Sequence, residues 1–315
     1  MVTYETSRKT ELDRALKSFF GSRPSKLFNP ITVLASPAWR GVEGDIWCAE
    51  SENSSFIFKH YHEDTYFYVD KSAAISAAKE GGSLKVAPVV ATSWLESGIV
   101  VFESLKETWG AGGLHHILNE KVRRNIIEQK KTFQAGATLK KTVSIFDEIN
   151  KLYGIVKKER ITTHNDIEVF VEFAEEAGAK LRACGWDIVP CHRDGNTSNL
   201  MVNEDDAVMI IDFDLSANCD PFEDVGAYLV ECFDNDLDAR QGFEEWNGDF
   251  NEALFQRSML YGLADDLRWG LIGSILDARS KRKSLEFSKY AAWRFLRLEA
   301  QVKRSCANDR IRIAG

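Results

Sequence analysis

Residues 190–215 read PCHRDGNTSNLMVNEDDAVMIIDFDL and carry the densest set of reactive side chains in the sequence. His192-Arg193-Asp194 is followed, five residues after the aspartate, by Asn199. Asp212-Phe213-Asp214 closes the apolar run Val208-Met209-Ile210-Ile211. Asn203-Glu204-Asp205-Asp206 between them is turn chemistry. Residues 200–202 and 208–211 are therefore predicted to pair as a hairpin. Such a hairpin brings Asp194, Asn199 and Asp212 to one rim. Three oxygen-bearing side chains there suit phosphoryl transfer. One carboxylate takes a hydroxyl proton, while an amide and a second carboxylate hold magnesium against nucleotide phosphates. Either cluster alone is commonplace, since acidic hairpins are usually solvated turns. Their order and hairpin-length separation make the combination specific.

The elements that must position this stretch begin upstream. Leu12, Ala15, Leu16, Phe19 and Phe20 recur at helical spacing up to Gly21, which reads as a packing helix over residues 5–20. Strands are expected at 31–34, 46–49 and 56–59, with Gly41 and Gly44 in the intervening loop. Glycines there let backbone amides approach phosphate, although two glycines three apart most often make an ordinary hairpin. Lys59, at the end of Phe56-Ile57-Phe58-Lys59, reads by itself as a surface lysine on an edge strand, and with the motif downstream as a group that holds nucleotide phosphates. A helix is expected over residues 70–80, capped by Asp70. An acidic partner for Lys59 is looked for on it, yet its middle offers only Ala and Ser, which leaves Asp70 and Glu80. Two more strands are expected at 86–90 and 98–102.

Residues 107–187 read as structural helices, with Lys130-Lys131 and the other lysine pairs on solvated faces. His164-Asn165-Asp166 repeats the H-x-D pattern but lacks the later Asn and the hairpin, so it reads as a helix start. Asp224 sits near the start of a later helix, where it could brace the catalytic loop. The last third is helical and aromatic, including Trp246, Trp269 and Trp293. Asp265 and Trp269, four apart, share a helix face beside Asp266. Rings beside carboxylates suit an organic ammonium group, against the competing expectation that aromatic stripes are core.

The whole chain bounds these readings. A net charge of −8 and a pI near 5.4 argue against nucleic acid as a partner and are compatible with a cationic substrate. Six cysteines without a C-x-x-C pair fit neither a zinc site nor a disulfide framework, so a reducing cytoplasm is the expected location. Neither a signal-peptide core nor a membrane-spanning run is read. The expected partner is a small cationic alcohol, with a homodimer the one assembly entertained.

His192-Arg193-Asp194 with Asn199, followed by Asp212-Phe213-Asp214, resembles the H-R-D-x-x-x-x-N and D-F-G arrangement of protein kinases. HRDGNTSN followed by IIDFD resembles the Brenner-type motif of the choline/ethanolamine kinase and aminoglycoside phosphotransferase superfamily. IDFDLSANCDPFEDVG and the Trp-containing segments DLRWGLIGSIL and LEFSKYAAWRFLR are similar to the choline kinase branch. The resemblance covers roughly residues 30–300. It implies an α+β, protein-kinase-like fold with a small antiparallel-sheet N-lobe and a larger, mostly helical C-lobe. Their expected limits are 30–105 and 106–315, after an N-terminal extension at 1–29. It implies ATP and Mg2+ as cofactors and phosphorylation of choline, ethanolamine or a related amino alcohol. The residue roles it implies are Asp194, with His192, in catalysis; Asn199, Asp212 and Asp214 on metal; and Lys59, Gly41 and Gly44 on phosphates. The hinge at Glu103-Ser104-Leu105 would take adenine, and Asp265, Asp266, Trp246, Trp269 and Trp293 the acceptor. An aminoglycoside or sugar acceptor is the alternative, and a nucleotide-binding regulatory protein without activity a second one.

Overall fold

The computed structural model describes residues 4–30, 42–52, 54–282, 285–303 and 307–314. The strand expected at 31–34 and Gly41 both lie outside the described residues. Helix α1 (Tyr4–Phe20) comes first, then β1 (Lys26–Phe28), β2 (Gly44–Ser51) and β3 (Ser54–Tyr61). Helix α2 (Lys71–Ser83), β4 (Val90–Trp94) and β5 (Ile99–Glu103) follow. Among the described residues these strands form an antiparallel sheet in the order β1-β2-β3-β5-β4.

Alternation along β3 assigns its two faces different work. Phe56 and Phe58 meet Leu12, Leu16, Phe19 and Phe20 of α1, with edge-on ring contacts to Phe19. Lys59 and Tyr61 point to the other side, where Ala74 and Ile75 of α2 pack on Tyr61 and Val100. Asp70 caps α2 as expected, accepting the N–H groups of Ser72 and Ala73. The strand expected at 86–90 starts only at Val90. Pro88 has no N–H to donate, and the Val86 carbonyl is taken by the Ile210 N–H at 2.8 Å.

The remainder runs β6 (Trp109–Ala111), α3 (Leu114–Ile117), α4 (Glu120–Gln134), α5 (Ile145–Glu159), α6 (Ile167–Cys184) and β7 (Val189–Cys191). It continues β8 (Leu200–Asn203), β9 (Val208–Ile210), β10 (Ala217–Cys219), α7 (Phe222–Cys232) and α8 (Asp236–Asn247). Helices α9 (Glu252–Arg279), α10 (Phe287–Val302) and α11 (Ala307–Ile313) complete it. The predicted hairpin forms, with Leu200 opposite Ile210 and Val202 opposite Val208. Strand β6 adds to its edge from a region read as helical; three residues are too few to show a period. Helix α9, 28 residues long, is buried almost throughout and is the axis of the helical part. Gly226 lets α7 touch it directly, for a Cβ there would lie 2.3 Å from the Ser258 carbonyl oxygen. The architecture is the expected two-lobed α+β one. Among the described residues, no helix is long and apolar enough to cross a membrane.

Candidate active site

Lys59 leaves β3 on the face opposite α1, and its ammonium is buried. It donates to Asp212 Oδ1 at 2.8 Å and Asp214 Oδ2 at 2.6 Å. Tyr61, two residues on along the same face, donates its hydroxyl to Asp214 Oδ1 at 2.8 Å. Glu43, just before β2, adds a third carboxylate and accepts the Tyr68 hydroxyl at 2.9 Å. Oxygens of Glu43, Asp212 and Asp214 all lie within 4.8 Å of one another. Burial, then the Asp212 charge, pushes Asp214 far above the carboxylate range despite Lys59. The same two causes raise Glu43. Burial acts to raise Asp212 too, but the Lys59 charge together with the hydrogen bonds from Lys59 and Asp214 holds it below the usual carboxylate range. One lysine therefore faces three carboxylates, and an all-oxygen set with surplus negative charge suits a hard divalent cation.

The acid expected for Lys59 on α2 is not there. Asp70 is occupied in capping, and Glu80 accepts the Ala137 N–H at 2.9 Å. Gly44 sits inside β2 opposite Tyr61 rather than in an open loop. Its missing side chain admits the His60 carbonyl, 2.8 Å from where a Cβ would stand, and the Lys59 stem. Glu103 ends β5 with its N–H donated to the Val89 carbonyl at 2.9 Å. Ser104 bonds the Ser55 carbonyl, and half-buried Leu105 follows it.

Asp194 accepts the Asn196 N–H at 2.8 Å on one oxygen and the Asn199 side-chain amide at 2.9 Å on the other. Burial raises its pKa to about 7. His192 is placed as a brace. Its Nε2 lies 3.0 Å from the Ile211 carbonyl and its Nδ1 3.0 Å from the Asp194 carbonyl, with the Lys130 ammonium 3.5 Å from Nδ1. Burial, helped by the Lys130 charge, lowers its pKa to about 4, so the ring stays neutral. Arg193 and Asp212 both hold left-handed backbone, φ 67° and 68°, a strained geometry of about 1–3 kcal/mol each. Tertiary contacts hold the first in place. Asp224 accepts the N–H of His192 at 3.1 Å and of Arg193 at 2.8 Å, as the sequence suggested. The Arg193 guanidinium reaches Glu223 and Glu148, each at 2.8 Å. Lys130 corrects the solvated reading: it is 2% exposed and donates to Asp224 at 3.1 Å and the Asp194 carbonyl at 3.0 Å. The decoy at 164–166 is structural, its Asp166 paired with Lys303 at 2.9 Å.

A cavity of about 360 Å3 opens beside Asn196 and Thr197 of this loop, walled by α7, α8, α9 and α10. Of the residues expected to hold the acceptor, Trp293 and Asp266 line it, while Asp265, Trp269 and Trp246 do not. Asp265 pairs with Arg268, and Asp266 is shared between Arg294 and Arg297. Neither carboxylate stands open to a ligand. Trp269 is buried against Tyr68 and Tyr290. Trp246 packs in the core of α4, α7 and α8, 5.4 Å from the Tyr228 ring, as aromatic residues at helical spacing commonly do.

Sequence reasoning missed Glu43, Lys130, Glu231 and the arginine pair. A signal existed for Lys130, which shares a helical stripe with Ile126, Ile127 and Phe133; a lysine there needs a buried acid. Arg294 and Arg297 fall four after Tyr290 and Trp293, the spacing at which side chains on one helix meet. For Glu43 nothing local marks the role.

The sequence matches the phosphotransferase enzyme family over residues 36–260. No curated protein matches it. Among solved structures, a choline/ethanolamine kinase family protein from Mesorhizobium loti superposes with a TM-score of 0.79 at 18% identity, covering 97% of this chain and 98% of that one. A choline kinase from Streptococcus pneumoniae gives 0.74 at 15% identity, covering 93% and 99%. The GDP and kanamycin complex of APH(2")-IIia gives 0.63 at 12% identity, covering 92% and 98%. These likenesses agree with the fold, and the family match spans the Lys59 strand, the loop around Asp194 and the hairpin. The chain belongs to the phosphotransferase enzyme family.

Proposed function

We propose that this phosphotransferase moves the γ-phosphoryl group of ATP to the hydroxyl of a small amino alcohol of the choline and ethanolamine class. The observation that carries the reading is Asp194. Its carboxyl is fixed by the Asn196 and Asn199 donors, in the loop whose Asn196 and Thr197 line the cavity, with a pKa of about 7. A base with that poise can orient an acceptor hydroxyl and take its proton as the phosphoryl group arrives. Lys59 serves the non-transferred phosphates, and the segment Glu103–Leu105 at the end of β5 would take adenine. Asn199, Asp212 and Asp214 would hold Mg2+, with Glu43 beside them. Asn199 gives its N–H to Asp194, which leaves its carbonyl oxygen for a cation. When bound, the ion offsets charge on the phosphate oxygens. The structural relatives described as choline kinases, and the one holding GDP and kanamycin, support nucleotide-dependent transfer to a small molecule.

Coupled ADP release over amino alcohols, sugars and aminoglycosides tests the reading. Asp194→Asn should lower kcat by about 10²–10⁴-fold with ATP binding retained; unchanged turnover refutes the assignment. Asp234 and Asp236 along the cavity favour, as a second reading, an aminoglycoside-type acceptor with several amino groups. ADP formation with no acceptor at all would turn the conclusion toward a nucleotide-binding regulatory protein.

A further inference from the structure

Another cavity, of about 240 Å3, lies between the segment before α2, helix α5 and helix α9, and shares no lining residue with the one beside Asn196. Phe67, Leu152, Leu215 and Ile272 give it apolar walls, and Lys141, Lys151 and Arg268 bring three cations to it. Arg268 is 1% exposed. Its Nη2 donates to Asp265 and, at 2.9 Å, to the Arg193 carbonyl, while its Nη1 lies 3.3 Å from Glu148. Its Nε is buried without a hydrogen-bond partner among the described residues. A buried donor left in that state is costly, and a ligand that accepts from it removes the cost.

Counter-charge is short at the same place. Glu148 is shared by Lys141 at 2.7 Å, Arg193 at 2.8 Å and Arg268 at 3.3 Å. Glu223 and Asp265, which also bind Arg193 and Arg268, do not line the cavity. Asp147, the other acid of the lining, is exposed and faces Arg182 at 3.4 Å. Lys151 has no ion-pair partner among the described residues and is exposed at the rim. Burial, with the Arg193 and Arg268 charges adding to it, holds the Lys141 ammonium below the ordinary lysine value despite Glu148.

We propose that this cavity is a second ligand site, for a small phosphate monoester with an apolar body. Its oxygens accept from Lys141, Lys151 and Arg268, and its apolar part lies among Phe67, Leu152 and Ile272. A phosphate monoester brings nearly two charges and three acceptor oxygens to these three donors; a carboxylate brings one charge and two oxygens. Glu148 and Arg268 also hold Arg193, so the site stands directly behind the loop that carries Asp194. Binding there does not depend on the phosphotransfer reading above.

Isothermal titration calorimetry of the full chain with phenyl phosphate, inorganic phosphate and benzoate, each against sodium chloride at equal ionic strength, tests the site. Phenyl phosphate should bind saturably and about tenfold more tightly than inorganic phosphate, because its ring leaves water. Benzoate should bind about tenfold more weakly than phenyl phosphate. Lys141→Met should weaken phenyl phosphate by about tenfold or more, and Lys151→Glu by about threefold to tenfold. The absence of saturable binding overturns the assignment, as does inorganic phosphate or benzoate binding as tightly as phenyl phosphate. Unchanged affinity in Lys151→Glu places the ligand elsewhere and overturns it equally. Since Lys151 is exposed, that variant decides even if Lys141→Met does not fold.

Discussion

Lys130→Met removes the ammonium that joins α4 to the loop carrying Asp194. The methionine keeps much of the stem volume among Ile126, Ile127 and Phe133 but takes the counter-charge from fully buried Asp224. Breaking a buried ion pair from one side costs about 3–5 kcal/mol, since the remaining charge is stranded. Asp224 retains the N–H groups of His192 and Arg193 and the Gln134 amide at 3.2 Å. The expected loss is therefore near the lower end, about 3 kcal/mol. The Asp194 carbonyl loses its ammonium donor too. A resulting shift of the loop by about 1 Å would lower kcat by roughly 10². Urea denaturation with the slope checked for constancy gives the first quantity, and steady-state kinetics the second. Lys131→Met is the control: Lys131 is exposed and reaches only the Trp246 carbonyl, so its loss should change stability by about 0.5 kcal/mol or less. Asp224→Asn in the Lys130→Met background should cost less than in wild type, because the stranded charge is gone. Equal stability of the Lys130 and Lys131 variants, or strict additivity with Asp224→Asn, would refute the brace.

Two further outcomes follow from other parts of the site. Gly195→Ala should destabilise the protein by about 1–3 kcal/mol or more and depress kcat, because a Cβ there would stand 2.0 Å from the Ala227 carbonyl oxygen. Calorimetry that finds the variant as stable as wild type defeats that expectation. His192 titrates at about 4 when folded, against an ordinary 6.5, so the unfolded chain takes up its proton first as the pH falls. Its contribution is complete above 6.5 and is lost progressively down to about 4, amounting to about 3 kcal/mol. Asp194 titrates in the opposite sense, so the comparison is with His192→Gln, which keeps that aspartate. Its stability should fall less than wild type between pH 6.5 and 4.5, and parallel curves in urea would sink the assignment.

What the sequence determined by itself was local in origin. The hairpin follows from two apolar runs and the turn Asn203–Asp206 between them. The cap of α2 follows from Asp70 ahead of an alanine-rich segment, and the order of Asp194, Asn199 and Asp212 needs no tertiary information. The turn and the cap sit within a few residues and the motif within one short stretch, because turns, caps and periodicities act between near neighbours. Tertiary structure alone decided which charges are paired. Lys59 finds its acids 153 and 155 residues later, and Lys130 finds Asp224 94 residues on. Arg294 reaches Asp266 from the next helix and lies over the rings of Trp269 and Trp293. A charged side chain leaves water only where packing supplies a counter-charge. That supply comes from elements that meet in space, so no local pattern reveals whether a lysine, an arginine or an aspartate faces solvent, a ligand or its own protein.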